Sequence, residues 1–258
     1  MKITTSSSTL STNHCDWDET EHSFQLGEGR ALLVVADGMG GASGGEVASE
    51  MAVKTIRDAL MMRSYYWVDV RLRCAVEMAN QRIYRHAQHD PNLHGMGAAV
   101  TAVLVEDDTA HIAQVGDSRA YPLRKLAISQ LTKDQSLAQY LADMGQIVPE
   151  EISTVQQNII MQPLGTHETV QVALTSVELQ CDDHLLLCSD GLSNKVSAIE
   201  MCETLRAEPN LNAACDRLVN LANARGGEDN ITIVIAYFSG KSVRADHPSA
   251  GDSLDSVA

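Results

Sequence analysis

Four aspartates stand beside or close to glycine at the edge of an apolar, strand-like run: Asp37, Asp117, Asp190 and Asp229. Ala31–Ala36 is apolar and ends in Asp37, followed by Gly38, Gly40, Gly41, Gly44 and Gly45. His184–Cys188 repeats the device into Ser189-Asp190-Gly191. Glycine lets the backbone turn tightly and approach closely whatever the acid holds. Each aspartate alone is an ordinary turn residue. Four of them at strand ends can converge on one sheet edge, where clustered carboxylates need a counter-charge. Few basic residues lie near them in sequence, Arg119 and Lys195 among them, so a divalent cation is the natural partner. Oxygen ligands completed by water favour Mg²⁺ or Mn²⁺ over zinc, which prefers His and Cys. Two ions bridged by one acid acidify a shared water and hold a phosphoryl oxygen, which suits phosphate-ester hydrolysis without a covalent intermediate. Other chemistries fit less well. The glycine loop lacks the Gly-Lys-Ser/Thr ending of a phosphate-binding loop and the spacing of a dinucleotide fingerprint. Ser43 and Ser189 have no histidine at a suggestive spacing, and His111 reads as a strand residue.

The elements that must position these acids follow from periodicity. Glu46–Met62 and Val70–Gln88 repeat apolar residues at helical spacing and should pack on one side of a sheet. From Ala98 the texture turns to short β-type runs: 98–105, 110–115, 120–124 and 128–131. Their short links predict antiparallel meanders, with a turn at 116–119. Ser136–Met144 reads as a short helix capped by Ser136. Ile159–Met161, Val170–Leu179 and His184–Cys188 read as strands, 197–207 and 211–225 as helices, and Ile231–Phe238 as a β-branched strand. Residues 1–13 read as a loose arm or an edge strand. The order is not strict strand–helix alternation, so the expected class is α+β: antiparallel sheets with helix pairs outside, in one domain. The expected boundaries are a domain over 1–239 and a disordered Ser/Asp/Gly-rich tail over 240–258.

Composition narrows the partners. The 258 residues are 44% apolar with a formal net charge of −15. That charge disfavours nucleic acid and anionic membranes, which are bound by Lys and Arg. No apolar run reaches the roughly 20 residues of a membrane span, and no signal peptide is evident, so a cytoplasmic protein is expected. Six scattered cysteines without CxxC spacing, in segments that read as buried, suggest reduced thiols.

Four segments in order, VVADGMGGASGGEVAS (34–49), QVGDSRAY (114–121), LLLCSDGLSN (185–194) and GGEDNITIVI (226–235), resemble the metal-dependent PPM, or PP2C-type, Ser/Thr protein phosphatases, in particular their single-domain bacterial branch. The resemblance covers about residues 13–238. It implies a four-layer α-β-β-α sandwich of two mainly antiparallel sheets flanked by helix pairs. It implies hydrolysis of phosphoserine and phosphothreonine on proteins by an activated water at a centre of two Mn²⁺ or Mg²⁺ ions. Carried over, Asp37 bridges the ions, the Gly38 carbonyl binds one, and Asp190 and Asp229 complete the first shell. Asp117, with Asp190, serves a third, weaker ion, and Asn230 orients Asp229. Residues 146–158 fall at the family's variable flap. Implied partners are phosphorylated proteins and a Ser/Thr kinase or its targets in signal transduction, with the phosphatase a monomer.

Three departures stand out. The family opens with Arg-x-x-Asn-Glu-Asp, whose arginine grips phosphate and whose acids serve the second metal. Here the equivalent stretch is Asn13–Glu19 and the first arginine is Arg30. If Asp18 closes the motif, Asn13 stands at the arginine position; if Asp16 does, Ser11 does. Asp18 is the favoured ligand, and Arg119 is a candidate substitute grip. Met96-Gly97-Ala98-Ala99 replaces Met-Gly-Thr-Thr, a packing change. Met39 stands where eukaryotic members place a histidine general acid, so the leaving group takes its proton from water or another acid. The altered motif leaves one alternative from a different class: a pseudophosphatase that binds phosphoproteins without turnover.

Overall fold

A computed structural model describes residues 2–10, 22–27, 29–62, 66–148 and 159–239. The elements run β1 (Lys2–Leu10), β2 (Ser23–Gly27), β3 (Arg30–Met39), α1 (Gly41–Met61), α2 (Val68–His89), β4 (Gly97–Glu106), β5 (Thr109–Val115), β6 (Arg119–Arg124) and β7 (Ala127–Ile128). They continue with α3 (Leu137–Asp143), β8 (Ala173–Glu178), β9 (His184–Cys188), α4 (Asp190–Ser193), α5 (Ala198–Ala207), α6 (Leu211–Ala224) and β10 (Ile231–Ser239). Two five-stranded sheets form, in the orders β1-β10-β9-β6-β7 and β2-β3-β4-β5-β8. Every pairing is antiparallel.

The alternation of side chains along each strand explains the four layers. On β3, Leu32, Val34 and Ala36 join α1 and α2 in one core. Leu33 and Val35 face the other way, into a core between the sheets with Leu185, Leu187, Val234 and Phe238. On β10, Ile231, Ile233 and Ile235 pack outward against α5 and α6. Both faces of the central strands are therefore buried, which is why they read as continuous apolar runs. The α+β sandwich with outer helix pairs is thus as expected. Asn210 caps α6 through its side chain, and Ser197 and Glu200 form a capping box on α5.

Several local expectations change. Residues 2–10 form an edge strand on β10, not a loose arm. Helix α1 begins at Gly41 rather than near Glu46, because the glycines that resemble a loop are needed for close backbone packing. The meander is broken at 116–118, where the chain passes from one sheet to the other. The free edge of β5 is taken by β8, and β6 pairs with β9. The strands expected at 159–161 and 128–131 shrink to a bridge between Ser136 and Ile160 and to the two residues of β7. Cys188, Cys202 and Cys215 are buried, but Cys74 and Cys181 are exposed, so those two do not sit in the core. Among the described residues no helix is long and apolar enough to cross a membrane.

Candidate metal centre

Antiparallel pairing puts the ends of β3, β5 and β9 and the start of β10 at one edge of the sandwich. Asp37 continues the side of β3 occupied by Leu33 and Val35, and so faces the gap between the sheets. Asp190 comes from the opposing sheet, directly after β9, as the first residue of α4. The two half-buried carboxylates meet there, close enough for one proton to serve both. Burial, then the charges of Asp190 and Asp229, push Asp37 well above the usual carboxylate range. Burial and Asp229 also push Asp190 up.

Asp117 lies buried in the turn that crosses between the sheets. Burial, then Asp190 and Asp134, push it up to about 7, against the pull of a backbone hydrogen bond and Arg119. Asp229 is exposed just before β10 and accepts a hydrogen bond from the Asn230 backbone N–H at 2.8 Å. Asn230 thus orients Asp229 through its main chain. Among the described residues no three of these groups close round one point as a finished cage. Asp37 and Asp190 are in contact, and Asp229 and Asp117 stand within electrostatic reach. The electrostatics weigh more here, because an oxygen shell shared with water needs no tight protein cage.

The donor set fits a hard divalent cation. Among the described residues Asp190 Oδ1 is buried with no hydrogen-bond partner, a costly state for a carboxylate oxygen that a cation would relieve. The Cys188 thiol beside the site is no rival nucleophile, since burial pushes it up to about 12.

Residues that spacing did not single out hold the acids in place. Asn194 Nδ2 donates to Asp190 Oδ2 at 3.2 Å from one turn along α4. The i,i+4 spacing of Asp190 and Asn194 was the available signal. The Asp117 turn is clamped by side-chain amides: Gln114 Nε2 donates to the carbonyls of Gly116 and Ser118, and Gln135 Oε1 accepts from the Gly116 N–H. Thr101 Oγ1 donates to the Ser118 carbonyl at 2.7 Å. Ala98 and Ala99 are fully buried, and a Cβ on Gly116 would lie 2.5 Å from the Ala99 Cβ. Ala99 therefore packs tightly against the crossing turn.

Arg119 is not presented as a phosphate grip. Its Nε and Nη2 are bound to Asp134, and Nη1 donates to the Tyr121 hydroxyl at 3.3 Å. Met39 ends β3, partly exposed, with no proton to give. Asp16 and Asp18 lie outside the described residues, as do 149–158 of the expected flap. The strand before the two acids ends at Leu10, opposite Ile231 and two residues from Asp229.

An acid edge built between two antiparallel sheets, with helix pairs outside, defines a class, and the sequence matches it. Residues 7–233 match the family described as Protein phosphatase 2C, and the chain belongs to that family. It is 37% identical over 217 residues to the serine/threonine phosphatase stp of Listeria monocytogenes serovar 1/2a, covering 82% of this chain and 86% of that one. The crystal structure of the Mycobacterium tuberculosis serine/threonine phosphatase PstP/Ppp superposes with a TM-score of 0.80 at 34% identity, covering 92% of this chain and 99% of that one. The PstP catalytic domain solved in complex with two manganese ions gives a TM-score of 0.78 at 34% identity, with the same coverage.

Proposed function

We propose that this chain is a metal-dependent phosphatase that hydrolyses phosphoserine and phosphothreonine on proteins. The observation that carries the site assignment is the meeting of Asp37 and Asp190 across the sheet gap, with one Asp190 oxygen buried and unpartnered. When bound, two divalent cations, manganese as in the PstP domain or magnesium, supply positive charge against the phosphoryl oxygens and lower the pKa of a water. Asp37, the Gly38 carbonyl, Asp190 and Asp229 would hold these ions, with Asp37 the acid shared between them and Asp18 serving the second. Asp117 with Asp190 would hold a third, weaker one. Met39 carries no proton to give, so the leaving alkoxide takes its proton from water or another acid.

The test is turnover of a phosphothreonine peptide and of a small aryl phosphate against Mn²⁺ concentration, in wild type and Asp190→Asn. Wild type should be Mn²⁺-stimulated, and Asp190→Asn should lose at least about 10²-fold in rate. Wild-type Mn²⁺ binding without turnover would leave the pseudophosphatase instead. A subtler variant probes the support of Asp190. Asn194→Ala should raise the half-saturating Mn²⁺ concentration by roughly tenfold, as loss of such supporting partners does.

Other features belong to the same proposal. An enzyme that removes phosphate from serine and threonine implies a kinase that installs it, so a Ser/Thr kinase or its targets are the natural partners. Action as a monomer in the cytoplasm is part of the reading, as is a catalytic unit over 1–239, which the family match over 7–233 supports. Residues 240–258, the expected tail, lie outside the described residues.

A further inference from the structure

Arg82, Arg85, His86 and His89 recur at i, i+3, i+4 and i+7, so they share one face of α2. All four are exposed and rim a groove of about 480 Å³ whose floor is the half-buried Val47 and Met51 of α1. Its two arginines put positive charge on a chain of net charge −15. Among the described residues none of the four has a carboxylate partner. The polar contact of Arg82 is the Thr55 hydroxyl at 3.4 Å, and His89 Nδ1 meets the Arg85 carbonyl at 2.6 Å. Elsewhere on the same helix Arg71 is paired with Glu106, and on α1 Glu50 is taken by Lys54. Two arginines without a carboxylate partner among the described residues, flanked by imidazoles and set on an apolar floor, fit an acidic peptide.

The groove lies beside the acid edge. Helix α1 begins at Gly41, four residues after Asp37, and α2 leads through Met96 into Gly97, which pairs with Met39. Ile83, one residue past Arg82, lies under Gly165, and Leu164 bridges to Ala98 at the start of β4. Val47 and Met51 stand about 9 and 15 Å along the axis from the start of α1, at 1.5 Å per residue. An extended peptide advances about 3.3 Å per residue, so one running along α1 from the end nearest Asp37 would reach the groove after about three to five residues.

We propose that this groove docks an acidic stretch of the phosphoprotein substrate, about three to five residues from the phosphorylated side chain. The proposal rests on the phosphatase reading for the role of the acid edge. The two arginines offset the repulsion that a polyanionic substrate meets from the rest of the surface. Two arginines and two histidines are too few to hold a nucleic acid against that repulsion.

Two pairs of fluorescent phosphothreonine peptides test it, carrying Glu-Glu-Glu or Ser-Ser-Ser at positions three to five, either before or after the phosphoresidue. Turnover is measured with Mn²⁺, and binding by anisotropy with the metal-free protein. On one side of the phosphoresidue the acidic peptide should have a KM and a Kd about five- to tenfold lower, the sum of a few exposed charge pairs, with kcat within about twofold. Arg82→Glu/Arg85→Glu should reverse the preference and Arg82→Gln/Arg85→Gln should erase it, both leaving aryl phosphate hydrolysis unchanged. Equal KM and Kd for each acidic and neutral pair in wild type would overturn the docking proposal, as would a preference that survives both double variants. Failure of the phosphatase reading looks different: no peptide or aryl phosphate turns over, while the Arg-dependent anisotropy preference persists.

Discussion

Asp37→Asn should raise the melting temperature of the metal-free protein while removing its response to Mn²⁺ and nearly all of its turnover. The two effects have opposite signs because one carboxylate has two environments. Without metal, Asp37 is pressed between the sheets against Asp190, with Asp229 and Asp117 adding like charge. An amide removes that repulsion and brings an N–H to a place where an Asp190 oxygen lacks a donor. A gain of about 1–2 kcal/mol is expected, or roughly 3–6 °C for a domain of this size. With metal, the bridging oxygen pair is gone. Wild type at 100 times its Kd for Mn²⁺ should gain about 2.7 kcal/mol, and the variant almost none. Aryl phosphate hydrolysis should fall by at least about 10²–10³-fold.

The pH dependence follows with its sign. Asp37, Asp190 and Asp117 are all raised in the folded chain, Asp117 to about 7. Groups raised on folding contribute stability below their unfolded values, near 4, and that contribution is lost as pH rises toward 7. Metal-free wild type should therefore lose melting temperature between pH 5 and 8 more steeply than Asp37→Asn. Its Mn²⁺-induced gain should grow over the same range, because protons and cation compete for the same oxygens. A variant whose Mn²⁺ shift stays within a degree of wild type would remove Asp37 from the site.

Much of this edge was legible in the sequence. Asp37 and Asp190 stood out because β3 and β9, buried on both faces, read as unbroken apolar runs that stop at an acid. What sequence could not show was the partner across the gap. Nothing near Gly116–Arg119 says that the chain leaves one sheet for the other, since a hairpin and a crossover use the same turn residues. The choice is made by β8 and β9, each claiming an edge from more than fifty residues away. The start of α1 was hidden for a different reason. Glycine is poor in helices by propensity, so Gly41, Gly44 and Gly45 read as loop. Tertiary packing overrides that preference, and Asn194 escaped notice because α4 is a single turn of four residues, too short to show a helical period.

The glycines at the start of α1 bring the second large effect. A Cβ placed on Gly38 would lie 1.9 Å from the Gly45 carbonyl oxygen, and one on Gly45 would lie 2.7 Å from the Gly38 oxygen. The end of β3 and the first turns of α1 therefore touch backbone to backbone, with no flexible side chain to give way. Gly38→Ala must separate them, and Asp37 is the residue next to the break. A loss of about 3 kcal/mol or more is expected, lowering the melting temperature by roughly 6–12 °C. Turnover should fall at temperatures where the variant is still folded, because the acid is displaced and not merely less stable. Gly145→Ala is the control. Unlike Gly38, Gly145 has a positive φ, +68°, and nothing lies within 4 Å of its Cβ position. It should cost only about 1–2 kcal/mol of backbone strain and leave turnover unchanged. If the two variants lost equal stability and both kept full turnover, close packing at Gly38 would not be what holds Asp37 at the edge. If only Gly38→Ala lost turnover, the glycine run would be a structural requirement of the metal site, fixing the one acid that faces its partner across the sheets.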